Sequence, residues 1–237
     1  MQTLRLTALT PSRSPNIPRC PRRDEIGNCV REVLVRGVGA KADVLVVGVD
    51  GGTVIVKDFS GRSAWVRGLG RLQIRRETAA YRWLQGVRGV PLFVGRVDPW
   101  ALAIERIDGE RLAFAALAPG DGPHYVAALR MILDDIHARG VVHNDLRGRE
   151  NVLLRRDGGL ALVDFAAAVR LRPGGIAHRL FFRRLALADE AAFLKWKGMI
   201  DPGSYTAADE DFLRRFARWR ALWPFNPKRR KAKSRVA

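Results

Sequence analysis

The sequence predicts an α+β protein of two lobes, in which an antiparallel β lobe with one helix is followed by a reduced, mainly helical lobe. Three observations lead to this prediction. The first half contains short apolar runs broken by Gly and Asp, two segments show helical periodicity, and a polar stretch lies between apolar ends in "VVHNDLRGRENVLL", residues 141–154. A chain of 237 residues can bury one sizeable core or two small lobes.

The β lobe is predicted from five apolar segments. The runs Val33–Val35, Val44–Val47 and Val54–Val56 come first, and "VDGG" between the last two is a hairpin signal. Residues 90–109, "VPLFVGRVDPWALAIERIDG", indicate two further strands. The first three segments predict an antiparallel meander, and all five belong to one lobe.

Two helices are predicted from apolar side chains at helical spacing. Ile74, Thr78, Tyr81 and Leu84 form one stripe, in a helix that ends at Gly86. The second helix covers "DGPHYVAALRMILDDIHARG", residues 121–140.

The polar stretch leads into a hairpin. "NVLL" and "LALVDF" are β-like runs joined by "RRDGG", so Asp164 lies at the end of the second strand. Loops held on rigid strands often carry chemistry. Asp145 and Asp164 are therefore candidates to bind Mg²⁺ and to accept a hydroxyl proton.

Two further features fit a phosphate-handling site. Lys57 follows the apolar run "VIV", so its charge needs a partner, and Glu77 borders the apolar face of the first helix. Gly37 and Gly39 lie between the first two strands, where their backbone amides could approach a phosphate. A plain hairpin turn is an equal reading of these two glycines.

The order of these elements resembles the protein-kinase signature set. Gly-x-Gly, "VIVK", a helical Glu, "HNDLRGREN" and "VDFA" follow one another between about Val33 and Val169. More narrowly, the chain resembles small bacterial kinase-like proteins of the lipopolysaccharide core kinase (Kdo/WaaP) and RIO-type groups. The resemblance implies a bilobal protein-kinase-like fold with residues 29–108 as the N-lobe and 109–225 as a reduced C-lobe.

The resemblance also implies a role for each candidate residue. Lys57, paired with Glu77, would hold the α- and β-phosphates of ATP, and the glycines would lie over them. Asp145 would orient and deprotonate the acceptor hydroxyl, and Arg147 would clamp the transferred phosphate. The metal would be held by Asn151 and Asp164. The adenine edge would meet the backbone of Glu105 and Ile107, with Ile104 behind it.

The chain departs from the family pattern in several places. Five residues separate Asp145 from Asn151 instead of four, so either the loop bulges or Glu150 takes part of the role of Asn151. Asn144 replaces the Arg that receives an activation-loop phosphate, Ala166 replaces the last Gly of the metal motif, and no "APE" element follows. These departures weigh against an ordinary protein kinase. The resemblance to the two bacterial groups implies an acceptor hydroxyl on a lipopolysaccharide core sugar or on protein Ser/Thr.

The net charge of +18 is concentrated at the two ends. Residues 1–23 contain five Arg and no acid, and residues 212–237 contain ten Lys or Arg and no acid, which leaves only +3 for the rest. We expect a disordered basic segment at 1–28 and a disordered basic tail at 226–237. Segregated charge favours an anionic partner such as a membrane surface or, less strongly, nucleic acid.

No apolar run approaches the roughly 18 residues of a membrane span, and the N-terminus does not resemble a secretory peptide. We expect a cytoplasmic protein that meets the cytoplasmic face of the inner membrane through its basic end. Two alternatives stay open beside the kinase: a catalytically inactive kinase-like binding module and a nucleic-acid-binding protein. The set of Lys57, Asp145, Asn151 and Asp164 favours the enzyme.

Overall fold

The computed structural model describes residues 18–222. These residues form the two predicted lobes. The first contains one short helix, a five-stranded sheet and one long helix. Its elements are α1 (Arg23–Cys29), β1 (Val30–Val35), β2 (Asp43–Val49), β3 (Gly52–Asp58), α2 (Ala64–Trp83), β4 (Phe93–Asp98) and β5 (Ala101–Glu105).

The sheet of the first lobe is antiparallel throughout, in the order β1-β2-β3-β5-β4. The three predicted apolar runs lie in β1, β2 and β3, so the meander is confirmed. Helix α2 includes the predicted stripe, and its Ile74 and Tyr81 are fully buried. The helix begins at Ala64, before the predicted stripe. The sequence did not predict this start, because the first two turns are largely exposed and carry no apolar periodicity.

The second lobe is mainly helical and carries the polar hairpin. The elements of this lobe are β6 (Gly109–Arg111), α3 (Gly122–Ala138), β7 (Val141–Val142), β8 (Val152–Arg155), β9 (Leu160–Leu162), β10 (Val169–Arg170), α4 (Ile176–Ile200) and α5 (Ala207–Leu222). Strands β8 and β9 pair antiparallel as predicted, and a third strand, β6, joins them.

The main hydrophobic core runs through both lobes. It joins Tyr81 and Leu84 of α2 to Leu133 of α3, and then to Phe165 and Trp196. Tyr81 meets Phe165 edge-on, with ring centroids 5.2 Å apart. Because α2 packs directly on the turn after β9, the first lobe and the polar hairpin are held in one arrangement.

Helix α1 corrects the expectation of disorder through residue 28. Ile26 is buried against the face of the sheet that α2 does not cover, in a second core with Val47, Val56 and Ala103. Arg23 forms ion pairs with two carboxylates of the sheet. The segment shows no apolar periodicity, but Ile26 packs in the second core and Arg23 is ion-paired. Composition alone does not predict such contacts.

The C-terminal aromatic segment forms helix α5. Phe212 packs on the main core and stacks with Phe216, which in turn contacts Trp219. The basic tail at 226–237 and the first 17 residues lie outside the described part of the chain. Within residues 18–222, no helix combines the length and apolar character needed to cross a membrane.

Candidate active site

Three charged side chains from three elements meet at the junction of the lobes. The Lys57 Nζ atom on β3 donates to Glu77 Oε1 on α2 at 2.6 Å and to Asp164 Oδ1 after β9 at 2.8 Å. Glu77 is 1% exposed. The predicted ion pair is therefore formed, and the carboxylate at the end of the second strand completes it.

Burial and pairing act in opposite directions on these three groups. Burial lowers the pKa of Lys57, but the carboxylates of Glu77 and Asp164 outweigh it and hold this pKa above its usual value. Burial tends to raise the pKa of Asp164, yet the Lys57 ammonium keeps it below the ordinary range. Burial of Glu77 dominates over its Lys57 partner and raises its pKa.

Asp164 has an unusual backbone conformation. Its φ of 66° places it in the left-handed region, which a residue with a side chain adopts at a cost. The Tyr81 hydroxyl accepts a hydrogen bond from the Asp164 N–H, and Asp164 Oδ1 accepts one from Ala166 N–H. These bonds aim the carboxylate back at Lys57, between the lobes.

The polar loop after β7 is held by its backbone. Asp189 of α4 is fully buried and accepts two hydrogen bonds of 2.7 Å, one from His143 N–H and one from Asn144 N–H. Asn144 has a φ of 64°, a conformation that Asn tolerates better than most residues. His137 of α3 also meets Asp189, at 3.0 Å. One buried carboxylate thus fixes the start of the loop.

His143 continues the same support. Its Nε2–H donates to the Val163 carbonyl at 3.0 Å, and its Nδ1 accepts from Asp145 N–H at 3.3 Å. This pattern requires the neutral ring, in agreement with burial, which lowers the pKa of His143 despite the nearby Asp189. The histidine therefore links the loop to β9 while its side chain stays away from solvent.

Asp145 itself is exposed, as expected of a group that meets a substrate. Asn151 is buried, and its Nδ2 donates to the Asp145 carbonyl at 2.8 Å and to Asp145 Oδ2 at 3.4 Å. The Arg147 residue is exposed overall. Partial desolvation of its guanidinium, together with the nearby Arg220 of α5, lowers the pKa of Arg147. Aspartate and amide are thus brought together as the sequence predicted.

The long loop is accommodated by two consecutive turns. Gly148 N–H donates to the Asp145 carbonyl, and Asn151 N–H donates to the Gly148 carbonyl, both at 3.1 Å. A Cβ atom at Gly148 would lie 2.6 Å from Asn151 Nδ2, so a larger residue there would displace the Asn151 side chain. Glu150 is exposed, whereas Asn151 is packed beside Asp145. The extra residue bulges outward and leaves Asn151 at the start of β8.

The glycine turn between β1 and β2 fits the alternative of a plain hairpin turn. The Gly37 N–H donates to Asp43 Oδ1 at 2.8 Å, and Arg62 forms an ion pair with the same carboxylate. Gly39 adopts a φ of +62°. The Gly37 amide is therefore engaged within the turn and reaches a phosphate only if this bond opens.

The predicted adenine edge lies at the end of β5. The Glu105 N–H donates to the Leu92 carbonyl at 2.8 Å, and the Glu105 carboxylate accepts from Leu92 N–H at 2.9 Å. Ile107 follows the strand and is half-buried, and Ile104 is buried in the main core.

Residues Asn151 and Asp164 supply the donor atoms that Mg²⁺ prefers. Oxygen from an amide and a carboxylate suits this cation, which usually keeps several waters and shares substrate phosphates. The backbone carbonyl of Asn151 accepts a hydrogen bond from Val163 N–H at 2.9 Å, and this bond holds Asn151 close to Asp164 across the β8–β9 hairpin. Among residues 18–222, no group of three or more His, Cys, Asp or Glu side chains could hold a metal by itself. Asn151 and Asp164 would share a bound Mg²⁺ with substrate phosphates.

Sequence reasoning missed Asp189, Tyr81 and Trp196 as parts of the site. Trp196 Nε1 donates to the Leu146 carbonyl at 2.8 Å and supports the middle of the polar loop. A signal for Asp189 was present, because Phe193 and Trp196 follow it by four and seven residues and lie on the same helical face. An acid on an apolar stripe needs a buried partner.

Comparison with known proteins supports the same fold. No protein-family model matches the chain. It is 48% identical over 50 residues to the serine/threonine-protein kinase PKH3 of Saccharomyces cerevisiae, and 38% identical over 56 residues to the myotonin-protein kinase of Mus musculus. These stretches cover 21% and 24% of this chain, but only 6% and 9% of those proteins.

A solved structure covers far more of the chain. The Rio2 kinase of Chaetomium thermophilum, in a complex with ADP/Mg²⁺ and phosphoaspartate, superimposes with a TM-score of 0.51 at 17% identity, over 80% of this chain and 71% of that one. Likeness at this identity concerns the fold. The resemblance to lipopolysaccharide core kinases stays an expectation. The architecture is that of a protein kinase: an antiparallel β N-lobe joined to a reduced helical C-lobe, with Lys57, Glu77 and Asp164 meeting where the lobes join.

Proposed function

We propose that the protein is an ATP- and Mg²⁺-dependent phosphotransferase that moves the γ-phosphate to a hydroxyl group. The observation that carries this proposal is the meeting of Lys57, Glu77 and Asp164, from β3, α2 and the end of β9, beside the exposed Asp145. Such a site needs a fixed cation for the phosphates and oxygen ligands for the metal, with little covalent chemistry from the protein.

Each residue has one task in the proposed reaction. Lys57, held by Glu77, binds the α- and β-phosphates. The Asp145 carboxylate accepts the acceptor's hydroxyl proton while the acceptor oxygen bonds to the γ-phosphorus. The bond from that phosphorus to the bridging oxygen breaks, and ADP leaves. Asn151 and Asp164 would hold Mg²⁺, which neutralises charge on the phosphates.

The acceptor lies on a lipopolysaccharide core sugar or on protein Ser/Thr. A small or lipid-linked acceptor is favoured by the segment between β10 and α4, which has only five residues, 171–175. A peptide-binding platform and a phosphate-controlled loop need a longer insertion here. The Lys57–Glu77 pair is formed without any modification.

A non-catalytic kinase-like module is the second candidate. It is favoured by the glycine turn, whose Gly37 amide is paired with Asp43. A module of this kind would retain the fold and the buried ion pairs but transfer no phosphate.

One assay separates these possibilities. The purified chain is incubated with Mg²⁺ and ATP labelled at the γ-phosphate, in the presence of either cell-envelope lipopolysaccharide or total cell protein. Label in the lipopolysaccharide fraction identifies the sugar acceptor, and label in protein identifies Ser/Thr. Absence of label in both, for a protein that binds ATP, supports the non-catalytic module. The Asp145→Asn variant serves as the control for contaminating kinases.

A further inference from the structure

An arginine-lined cavity lies where α2 and β4 of the first lobe meet β10 of the second. It has a volume of about 410 Å³. Within residues 18–222, the side chains that line it include no carboxylate. Its walls are Arg75, Thr78, Ala79, Arg82, Trp83, Arg96 and Arg170.

Three of the four guanidinium groups are positioned by uncharged contacts. Arg82 lies over the Phe93 ring at 5.1 Å, and Arg170 lies over the Trp83 ring at 4.4 Å. Arg96 Nε donates to the Asp98 carbonyl at 2.9 Å. Cation–π contacts hold a guanidinium by its face and leave its N–H donors available.

The nearby carboxylate does not neutralise this cluster. Asp98, two residues after Arg96, is paired with Arg23 through one oxygen and accepts from Trp100 N–H through the other. Among the residues that the structure describes, none of the four arginines forms an ion pair. Like charges gathered without a counter-charge repel one another, and an anion relieves that repulsion.

We infer that this cavity binds a phosphate-bearing ligand, which the arginines contact by charge-assisted hydrogen bonds. Guanidinium forks match phosphate oxygens in pairs. A cavity of this size, with arginines on three elements, accommodates more than one phosphate group. The ligand would join α2, which carries Glu77, to β10, which follows Asp164.

Calorimetric titration of the full chain with inorganic pyrophosphate, at fixed salt and without Mg²⁺, tests the site. Arg75→Gln combined with Arg82→Gln should weaken binding at least about tenfold, because each charge-assisted bond contributes well over RT. Arg71→Gln combined with Arg76→Gln makes the same charge change on the same helix outside the cavity. That control should stay within about twofold of wild type, since screened surface charge acts weakly.

Titration with phosphatidylglycerol vesicles distinguishes a lipid phosphate from a soluble one. Binding of pyrophosphate that depends on Arg75 and Arg82 identifies a soluble phosphate ligand. Binding of vesicles alone, with the same dependence, identifies a lipid headgroup. Equal binding by wild type and the Arg75/Arg82 variant, or equal losses in that variant and the Arg71/Arg76 control, would overturn the proposal.

Discussion

Two loops of the candidate active site are held by carboxylates, but in opposite ways. The polar loop after β7 is fixed by Asp189, which is fully buried and belongs to α4. The glycine turn between β1 and β2 is fixed by Asp43, which lies at the edge of the turn itself. The Asp189 carboxylate accepts hydrogen bonds from backbone amides on the interior side of the polar loop. The side chains of Asp145 and Arg147 therefore remain exposed to solvent.

The second carboxylate occupies an amide that a phosphate would need. Because Asp43 is also paired with Arg62, the turn is stabilised in a closed form without a ligand. The polar loop is therefore held in place without a ligand, whereas under the proposed function the glycine turn would have to open before its amide could contact a nucleotide phosphate. Disruption of each support should therefore have a different consequence.

Removal of the buried support should have the largest effect on stability. Asp189→Ala leaves the amides of His143 and Asn144 buried and unpaired, at about 1–3 kcal/mol each. We expect a loss of several kcal/mol in the free energy of unfolding, measured in urea. Glu190→Ala is the matched control on the same helix, and loss of its ion pair with Arg130 should cost less than about 1 kcal/mol. Equal effects would show that Asp189 does not hold the loop.

The metal requirement tests which residue of the long loop replaces the expected Asn. Asn151→Ala should raise the Mg²⁺ concentration for half-maximal activity about tenfold or more, as expected for loss of roughly 1.4 kcal/mol of binding. Glu150→Ala should leave it unchanged, because that side chain is exposed. The reverse result would assign the metal to Glu150 and place the inserted residue elsewhere.

The neutral His143 should make stability depend on pH. Burial lowers its pKa in the folded protein below the 6.5 of the unfolded chain, so the unfolded state binds the extra proton first. The contribution of neutral His143 to the free energy of unfolding is present above pH 6.5 and declines as the pH falls below that value. Between pH 7.5 and 5.5 the free energy of unfolding should fall by at most about 1.4 kcal/mol from this cause. Urea unfolding at both pH values measures this difference. A His143→Gln variant with the same difference as wild type would show that another group is responsible.

Opening of the glycine turn should have the smallest effect, and in the opposite direction. Asp43→Ala frees the Gly37 amide, and ATP affinity should rise about two- to tenfold because one hydrogen bond no longer has to break. Asp50→Ala, in the neighbouring β2–β3 turn, should change nothing beyond its surface pair with Arg19. Titration calorimetry with MgATP gives both values. Weaker binding by Asp43→Ala would mean that Asp43 shapes the turn for the nucleotide.

Local patterns predicted much of this molecule. The β meander, the two helices and the β8–β9 hairpin follow from periodicity and turn chemistry within windows of about twenty residues. Lys57 and Glu77 could be paired in advance, because each borders an apolar face and a buried charge needs a partner.

The supports of the site could not be predicted in the same way. Asp189 meets His143 across 46 positions, and Trp196 meets Leu146 across 50, so neither contact has a local signature. The closed state of Gly37 depends on the direction of one carboxylate six residues away, which the order of residues does not determine. Order in α1 depends on Ile26 and Arg23 finding the outer face of the sheet.

The most direct test of the central claim is to replace Asp145 by Asn, in parallel with wild type. Asp145 is exposed, and an Asn amide oxygen can still accept the hydrogen bond of 3.4 Å from Asn151 Nδ2, so the variant should unfold at the same temperature and bind ATP with unchanged affinity. Transfer of the labelled γ-phosphate should fall by a factor of about 10² to 10⁴, the usual contribution of a general base. Unchanged transfer in a folded, ATP-binding variant would contradict the account.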